Sequence, residues 1–223
     1  MEPYYQDDFV TLFHGDCLDI TAWLDADVMV TDPPYGISRV SGEFSNAQMP
    51  NIITIANDET TDIRDAAIDM WGKKPALVFG SWKMPRPKNT NNRLIWYKSA
   101  NIPGMRTQPW YSADEEIYQL GTGFVGKPEH NVYITQDRRD GAYGEVARIG
   151  HPTPKPVGLM ERLIAKCPPG IVADPFAGSG ATLIAARNLG RKAIGVELEE
   201  KYCEIIAKRL SQQAFDFSEL LDV

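Results

Sequence analysis

The chain has 223 residues and an ordinary apolar fraction of 43%, enough for one large domain with a real core. No apolar run is long enough to span a bilayer, and the N-terminus, MEPYYQDDFV, is acidic and carries no signal segment, so a cytoplasmic protein is expected. The net charge of −7 argues against a polyanion partner, yet residues 83–155 carry eleven Lys and Arg against seven Asp and Glu, a local excess compatible with nucleic acid.

In chain order, DVMV (27–30) reads as a strand that runs straight into Asp32, two prolines and Tyr35. TTDIRDAAIDMWGK (60–73) has helical spacing, with Ile63, Ala66, Ala67 and Met70 on one face. PALVFGS (75–81), NRLIWYK (92–98) and EEIYQL (115–120) read as strands, and VGLMERLIAKC (157–167) as an amphipathic helix. GIVADPF (170–176), ATLIAARNLG (181–190), KAIGVEL (192–198) and EEKYCEIIAKRLSQQ (199–213) then alternate strand and helix, the pattern of a parallel sheet with crossovers. Residues 36–57, small and polar, read as a lid over an active site, and residues 121–150 carry six glycines without a period. No linker or repeat divides the chain, so a single domain over 1–223 is expected. Cys17, Cys167 and Cys203 are too few and too far apart for a disulfide framework and read as buried hydrophobes. His14, His130 and His151 are scattered and offer no metal site. Trp96, Trp110 and Phe79 are expected in the core.

Two stretches carry chemistry. In VADPFAGSGAT, Asp174 ends a strand, Gly178-Ser179-Gly180 forms a tight turn, and a helix follows. Glycine is needed where a ligand approaches the backbone closely or φ is positive. Glu197 ends the next strand, where an acid in a nucleotide-binding βαβ unit accepts from ribose hydroxyls. Leu183 stands where a dinucleotide fingerprint needs its last glycine, and Asp174 would repel pyrophosphate. An acid there suits S-adenosylmethionine, which has a sulfonium, an ammonium and no phosphate.

TDPPYG is the second stretch. An exocyclic base amine is a poor nucleophile because its lone pair is delocalised into the ring. Acceptors on its N–H groups favour the tetrahedral geometry that attack requires. Asp32 supplies one acceptor and the Pro33 carbonyl another, aimed by Pro34, which restricts Pro33 to extended geometry. Tyr35 offers a face for a base taken out of the stack, a contact worth about 1–3 kcal/mol.

DPPYG and DPFAGSGAT together resemble the S-adenosylmethionine-dependent DNA amino-methyltransferases that modify adenine N6 or cytosine N4. Their order is similar to the permuted β group. The resemblance runs from about His14 to Leu210. It implies a Rossmann-like α/β fold: a mostly parallel seven-stranded sheet with helices on both faces and both active loops at the strands' carboxyl ends. It implies catalytic roles for Asp32, Pro33, Pro34 and Tyr35. DPFAGSGAT puts Asp174, Phe176, Gly178, Ser179, Gly180 and Thr182 at the cofactor, with Glu197 on the ribose. HGDCLD (14–19) resembles the segment contacting the cofactor adenine, through Asp16 with Cys17 beside it. HPTPKPVGLMERLI (151–164) resembles the segment holding the methionine end, nominating Thr153 and Lys155. RLIWYKS and DEEIYQL resemble the paired strands on the far side of the base pocket.

The family's cytosine N4 enzymes more often carry serine before the two prolines, so Asp32 favours adenine N6, with cytosine N4 the alternative. The recognition region is short, an insertion at about 121–150 in which Arg138, Arg139 and Arg148 are candidate DNA contacts, with Tyr133 and Tyr143 nearby. A short insertion leaves room for help from a second subunit in a homodimer. Other readings are an RNA methyltransferase and a DNA-binding module without turnover. Intact Asp32, Pro33, Pro34, Tyr35 and Asp174 argue against the latter.

Overall fold

A computed structural model describes residues 2–36, 40–41, 53–54, 60–98, 110, 113–135 and 154–218. Thr153, Arg138, Arg139, Arg148 and Tyr143, with most of the expected lid and positions 136–150 of the expected insertion, lie outside the described residues. No helix among the described residues is long and apolar enough to cross a membrane.

The strands are β1 (Tyr5–Gln6), β2 (Val10–His14), β3 (Val28–Thr31), β4 (Val40–Ser41), β5 (Ile53–Thr54), β6 (Ala76–Gly80), β7 (Thr90–Lys98), β8 (Asp114–Leu120), β9 (Val132–Thr135), β10 (Val172–Asp174) and β11 (Ala193–Glu197). The helices are α1 (Asp62–Trp71), α2 (Val157–Ile164), α3 (Ala181–Asn188) and α4 (Glu200–Ser218), preceded by a 3-10 turn at Ala22–Asp25. The main sheet has nine strands rather than seven, in the order β1-β2-β11-β10-β3-β6-β8-β7-β9; β4 and β5 pair separately. Six of these strands coincide with the sequence reading. The additional three are β1 and β2 at one edge and β9 at the other. Asp7 nucleates the first pair: its Oδ1 accepts from the amides of Phe9 and Val10 at 2.9 and 2.7 Å, closing the turn that sends β2 back along β1. β9 forms from VYIT, β-branched and aromatic residues inside the stretch that has no clear period, and pairs parallel to β7.

Each central strand buries both faces, as a sheet covered on both sides requires, and all four residues of β3 are buried. Alternation along the strand sends Val28 and Val30 to one side and Met29 to the other. On the first side Leu159, Leu163, Ile184 and Ile206 from α2, α3 and α4 pack with Phe79 and Ile117. On the second, Trp23 and Trp71 stack 5.7 Å apart and 14° from parallel beneath Val78 and Tyr118. α1 buries Arg64, Ala67, Ile68 and Trp71, a stripe rotated from the expected one, and Met70 is exposed. The face that turns inward carries Trp71, whose indole stacks on that of Trp23. Trp96 and Phe79 are buried edge to face, 6.4 Å apart, as expected, whereas Trp110 is exposed, against expectation.

The topology gathers side chains at one edge. β2, β11, β10, β3 and β6 run parallel, so their carboxyl ends align. β8 runs antiparallel to β6 with Glu116 opposite Gly80, and β7 reverses again with Tyr97 opposite Asp114. The start of β8 and the end of β7 therefore reach the same edge.

Candidate active site

Thr31 is the last residue of β3, and Pro33-Pro34 end the ladder because neither has an amide proton to donate. Asp32 stands just past the strand, its side chain 23% exposed. Its Oδ1 accepts from the Tyr35 hydroxyl at 2.7 Å and its Oδ2 from the Lys155 ammonium. Glu115, on β8, joins the same group. Its Oε2 accepts from Tyr35 at 3.0 Å and lies 3.4 Å from Lys155 Nζ, and its Oε1 accepts from Lys98 at the end of β7. Lys155 also lies near the Tyr35 and Phe79 rings, 5.6 and 5.2 Å from their centroids. Burial pushes the Asp32 carboxyl up and Glu115 pushes the same way, against Lys155. Burial also opposes the charge on Glu115, but the two flanking ammonium groups outweigh it and hold the acid at about 2. Lys155 loses to burial and gains more from the two carboxylates, so it stays a cation.

The adjacent strand ends in Asp174, which is buried and accepts from Thr31 Oγ1 at 2.7 Å, from the Phe176 amide at 3.2 Å and from Thr182. Burial pushes its acid up to about 6. The turn after it depends on glycine. Gly178 and Gly180 have φ of +53° and +82°, and a Cβ on Gly180 would come within 2.9 Å of Ile206. Ser179 and Thr182 are buried beside it, and the Ser179 carbonyl accepts from Arg209. Glu197, at the end of β11, accepts from the amides of Gly178 and Glu199 at 2.7 and 2.8 Å, and burial pushes it up to about 7.

β2 ends opposite Glu197, and the Gly15 amide donates to the Glu197 carbonyl at 2.9 Å. Asp16 follows, capping the Leu18 amide at 2.8 Å. The Cys17 carbonyl accepts from the Trp23 indole, and burial, with Asp16, pushes its thiol up to about 12, so it is no nucleophile. Phe176 is half-buried against the second core cluster.

The structure thus brings Asp16, Cys17, Asp32, Pro33, Pro34, Tyr35, Asp174, Phe176, Gly178, Ser179, Gly180, Thr182 and Glu197 to one edge of the sheet. Lys155 comes too, but its ammonium contacts Asp32 and Glu115 rather than the glycine turn. Sequence reasoning missed Glu115, Lys98 and Thr31. A signal for Glu115 existed. It alternates with Ile117 on the core-facing side of β8, and a carboxylate there demands a partner.

The donor set fits a cationic, hydroxyl-bearing ligand. Asp174 and Glu197 are buried, raised toward neutrality and absent from the ion pairs among the described residues. A sulfonium, an ammonium or ribose hydroxyls would complete them. No group of His, Cys, Asp and Glu among the described residues could hold a metal ion.

Comparison with known proteins agrees with this chemistry. A family model described as DNA methylase, covering the N6/N4 amino-methyltransferases, matches residues 26–208. A type II methyltransferase, M.ScaI of Streptomyces caespitosus, is 25% identical across 96% of this chain and 85% of its own. Among solved structures, an M1.HpyAVI–SAM complex superposes with a TM-score of 0.64 at 21% identity, covering 90% of this chain and 98% of that one. The cytosine-N4-specific PvuII DNA methyltransferase gives 0.61 at 16% identity, covering 92% and 88%. With the matched family model spanning both chemical stretches, this chain belongs to the N6/N4 DNA methylase family, whose members are S-adenosylmethionine-dependent DNA methyltransferases.

Proposed function

We propose that this protein is a site-specific methyltransferase that modifies adenine N6 in double-stranded DNA in the cytoplasm, acting on a base flipped out of the duplex. The observation that carries this reading is the junction of the two strand ends. Asp32 directly follows Thr31, whose hydroxyl is bonded to Asp174 at 2.7 Å. The acceptor for the base amine and the acid for the cofactor are thereby neighbours. When bound, S-adenosylmethionine supplies an electrophilic methyl group on a sulfonium. Asp32 accepts one N–H of the target amine and the Pro33 carbonyl the other, which localises the nitrogen lone pair. As a carboxylate bonded to that amine, Asp32 also offers a place for the proton the amine must shed. Tyr35 stacks on the base, and Glu197 accepts from the ribose. Asp174 complements the ligand's positive charge, Asp16 reaches its adenine, and the turn of Gly178, Ser179 and Gly180 lets it approach the backbone. The work is positioning and electrostatic assistance, without a covalent enzyme intermediate.

Adenine is favoured because aspartate, not serine, precedes the two prolines. Arg138, Arg139 and Arg148 in the 121–150 insertion of a single catalytic domain are the proposed DNA contacts, with a second copy of the chain sharing recognition in a homodimer. The test is transfer of a tritiated methyl group to unmethylated mixed-sequence DNA and, in a parallel reaction, to mixed-sequence RNA, followed by nucleoside analysis. N6-methyladenine is expected. Label in N4-methylcytosine would transfer the reading to cytosine, label only in RNA would overturn the DNA substrate, and no label at all would overturn turnover.

A further inference from the structure

Both oxygens of Asp32 are engaged: Oδ1 by the Tyr35 hydroxyl and Oδ2 by the Lys155 ammonium. Each oxygen keeps a second lone pair, so an arriving amine can bind there, but it meets a carboxylate whose charge and approach Tyr35 and Lys155 already share. Glu115 stands within reach of the same pair, 3.0 Å from the Tyr35 hydroxyl and 3.4 Å from Lys155 Nζ. Tyr35 has one hydroxyl proton, so it donates fully to only one carboxylate at a time. With acceptors at 2.7 and 3.0 Å, a sub-ångström shift moves that proton's bond from Asp32 to Glu115 and conserves the number of hydrogen bonds. Lys155 can make the same exchange. Glu115 is anchored from behind by Lys98 and sits on β8, separated from β3 by β6, so it is held independently of Asp32.

We propose that Glu115 is a positioning residue for methyl transfer: it takes the Tyr35 hydroxyl and the Lys155 ammonium so that Asp32 is free to accept the target amine. This rests on the reading of Asp32 as the amine's acceptor. The charges balance throughout, two carboxylates against two ammonium groups, so no charge is stranded in the exchange. The cluster also makes the Tyr35 ring, the stacking face for the base, answer to whether Asp32 is occupied.

The charged and titratable groups facing Asp32 are Tyr35, Lys155, Glu115 and, from β10, Asp174. Glu115 raises the Asp32 acid, so Glu115→Gln lowers it and moves the acid limb of the kcat profile to lower pH. Full-length variants are compared by tritiated methyl transfer to unmethylated genomic DNA. For Glu115→Gln the expected result is a kcat lower by about 10- to 100-fold, the range for a charge-assisted contact. The acid limb is displaced downward, and the cofactor Kd and KM for DNA stay within about twofold. In a Tyr35→Phe background the penalty shrinks, because the hydroxyl to be taken over is gone. A normal kcat with an unmoved limb overturns the proposal, as does a kcat loss with an unmoved limb and an undiminished penalty in the Phe background. Should Glu115→Gln fail to fold, Glu115→Asp keeps the charge and the limb but shortens the reach to Tyr35. Its kcat falls by a smaller factor, and an unchanged kcat overturns the proposal equally. Asp32→Asn separates the two levels. If it methylates normally, the underlying reading of Asp32 falls. If it is inactive while Glu115→Gln behaves as wild type, only the role of Glu115 falls.

Discussion

Thr31 and Asp174 are 143 residues apart in sequence, yet their side chains share a 2.7 Å hydrogen bond between the ends of two adjacent parallel strands. That bond ties the strand leading into DPPY to the strand leading into the glycine turn. It is also one of the influences holding the Asp174 acid down against burial. Thr31→Val keeps the shape and removes the donor, so the acid rises above about 6 and the fraction ionised at neutral pH falls. Cofactor affinity at pH 7 is expected to drop by about 3- to 10-fold, consistent with one lost hydrogen bond of about 1 kcal/mol. Equilibrium titration with S-adenosylmethionine measures it, and an unchanged Kd would disconnect Asp174 from the ligand.

Asp32→Ala removes the proposed acceptor and leaves the cofactor turn untouched. Turnover is expected to fall by at least about 100-fold, the scale of losing one preorganised electrostatic contact. Cofactor Kd should stay within about twofold. Methylation near the normal rate would defeat the assignment.

The pH dependence of cofactor binding follows from two raised acids, Asp174 at about 6 and Glu197 at about 7. Each binds its proton more tightly folded than unfolded, so their contribution to stability is full below the usual carboxylate range. It declines as pH rises through about 7. A cationic, hydroxyl-bearing ligand favours the ionised acids and offsets that decline. The rise in Tm produced by S-adenosylmethionine should therefore grow between about pH 5.5 and 7.5 and then level. Glu197→Gln should weaken binding and flatten the upper part of that curve. A Tm increment independent of pH would count against both assignments.

Tyr35 separates ring from hydroxyl. Tyr35→Phe keeps the stacking face and is expected to cost less than about fivefold in kcat/KM. Tyr35→Ala should cost at least about tenfold, in line with 1–3 kcal/mol for a base on an aromatic face. Equal losses in the two variants would contradict stacking.

Trp71 tests the fold apart from the chemistry. It is buried, stacks on Trp23 and accepts Lys74 over its ring at 3.7 Å. Trp71→Ala should destabilise by about 3–5 kcal/mol in urea unfolding. A loss under 1 kcal/mol would show that the second core cluster collapses around the gap.

Much of this architecture is written in local pattern. The run from GIVADPF to the last helix alternates strand and helix with boundaries close to those of β10, α3 and β11, because both periodicities and the punctuating glycines agree there, whereas α4 runs on to Ser218, past the expected end at 213. β2 and β9 escaped because each buries only alternate residues between polar neighbours, unlike β3 and β6, whose every residue is buried and which stand out as apolar runs. The inward face of α1 was misjudged because helical spacing alone weighs Ile63 and Met70 like Trp71, and the partner indole of Trp23 lies 48 positions away.

The residues themselves determined the class of chemistry. An acid before two prolines and an aromatic ring, and an acid before a glycine turn, are covalent facts about which groups exist and how stiff the backbone beside them is. Only the tertiary structure decided which charges meet. Lys155 comes to rest on Asp32, 123 positions away, and Glu115 arrives from an antiparallel strand two places along the sheet. The reason is physical: a buried carboxylate must be paired, but sequence separation carries no information about the partner until the sheet order brings the strand ends side by side.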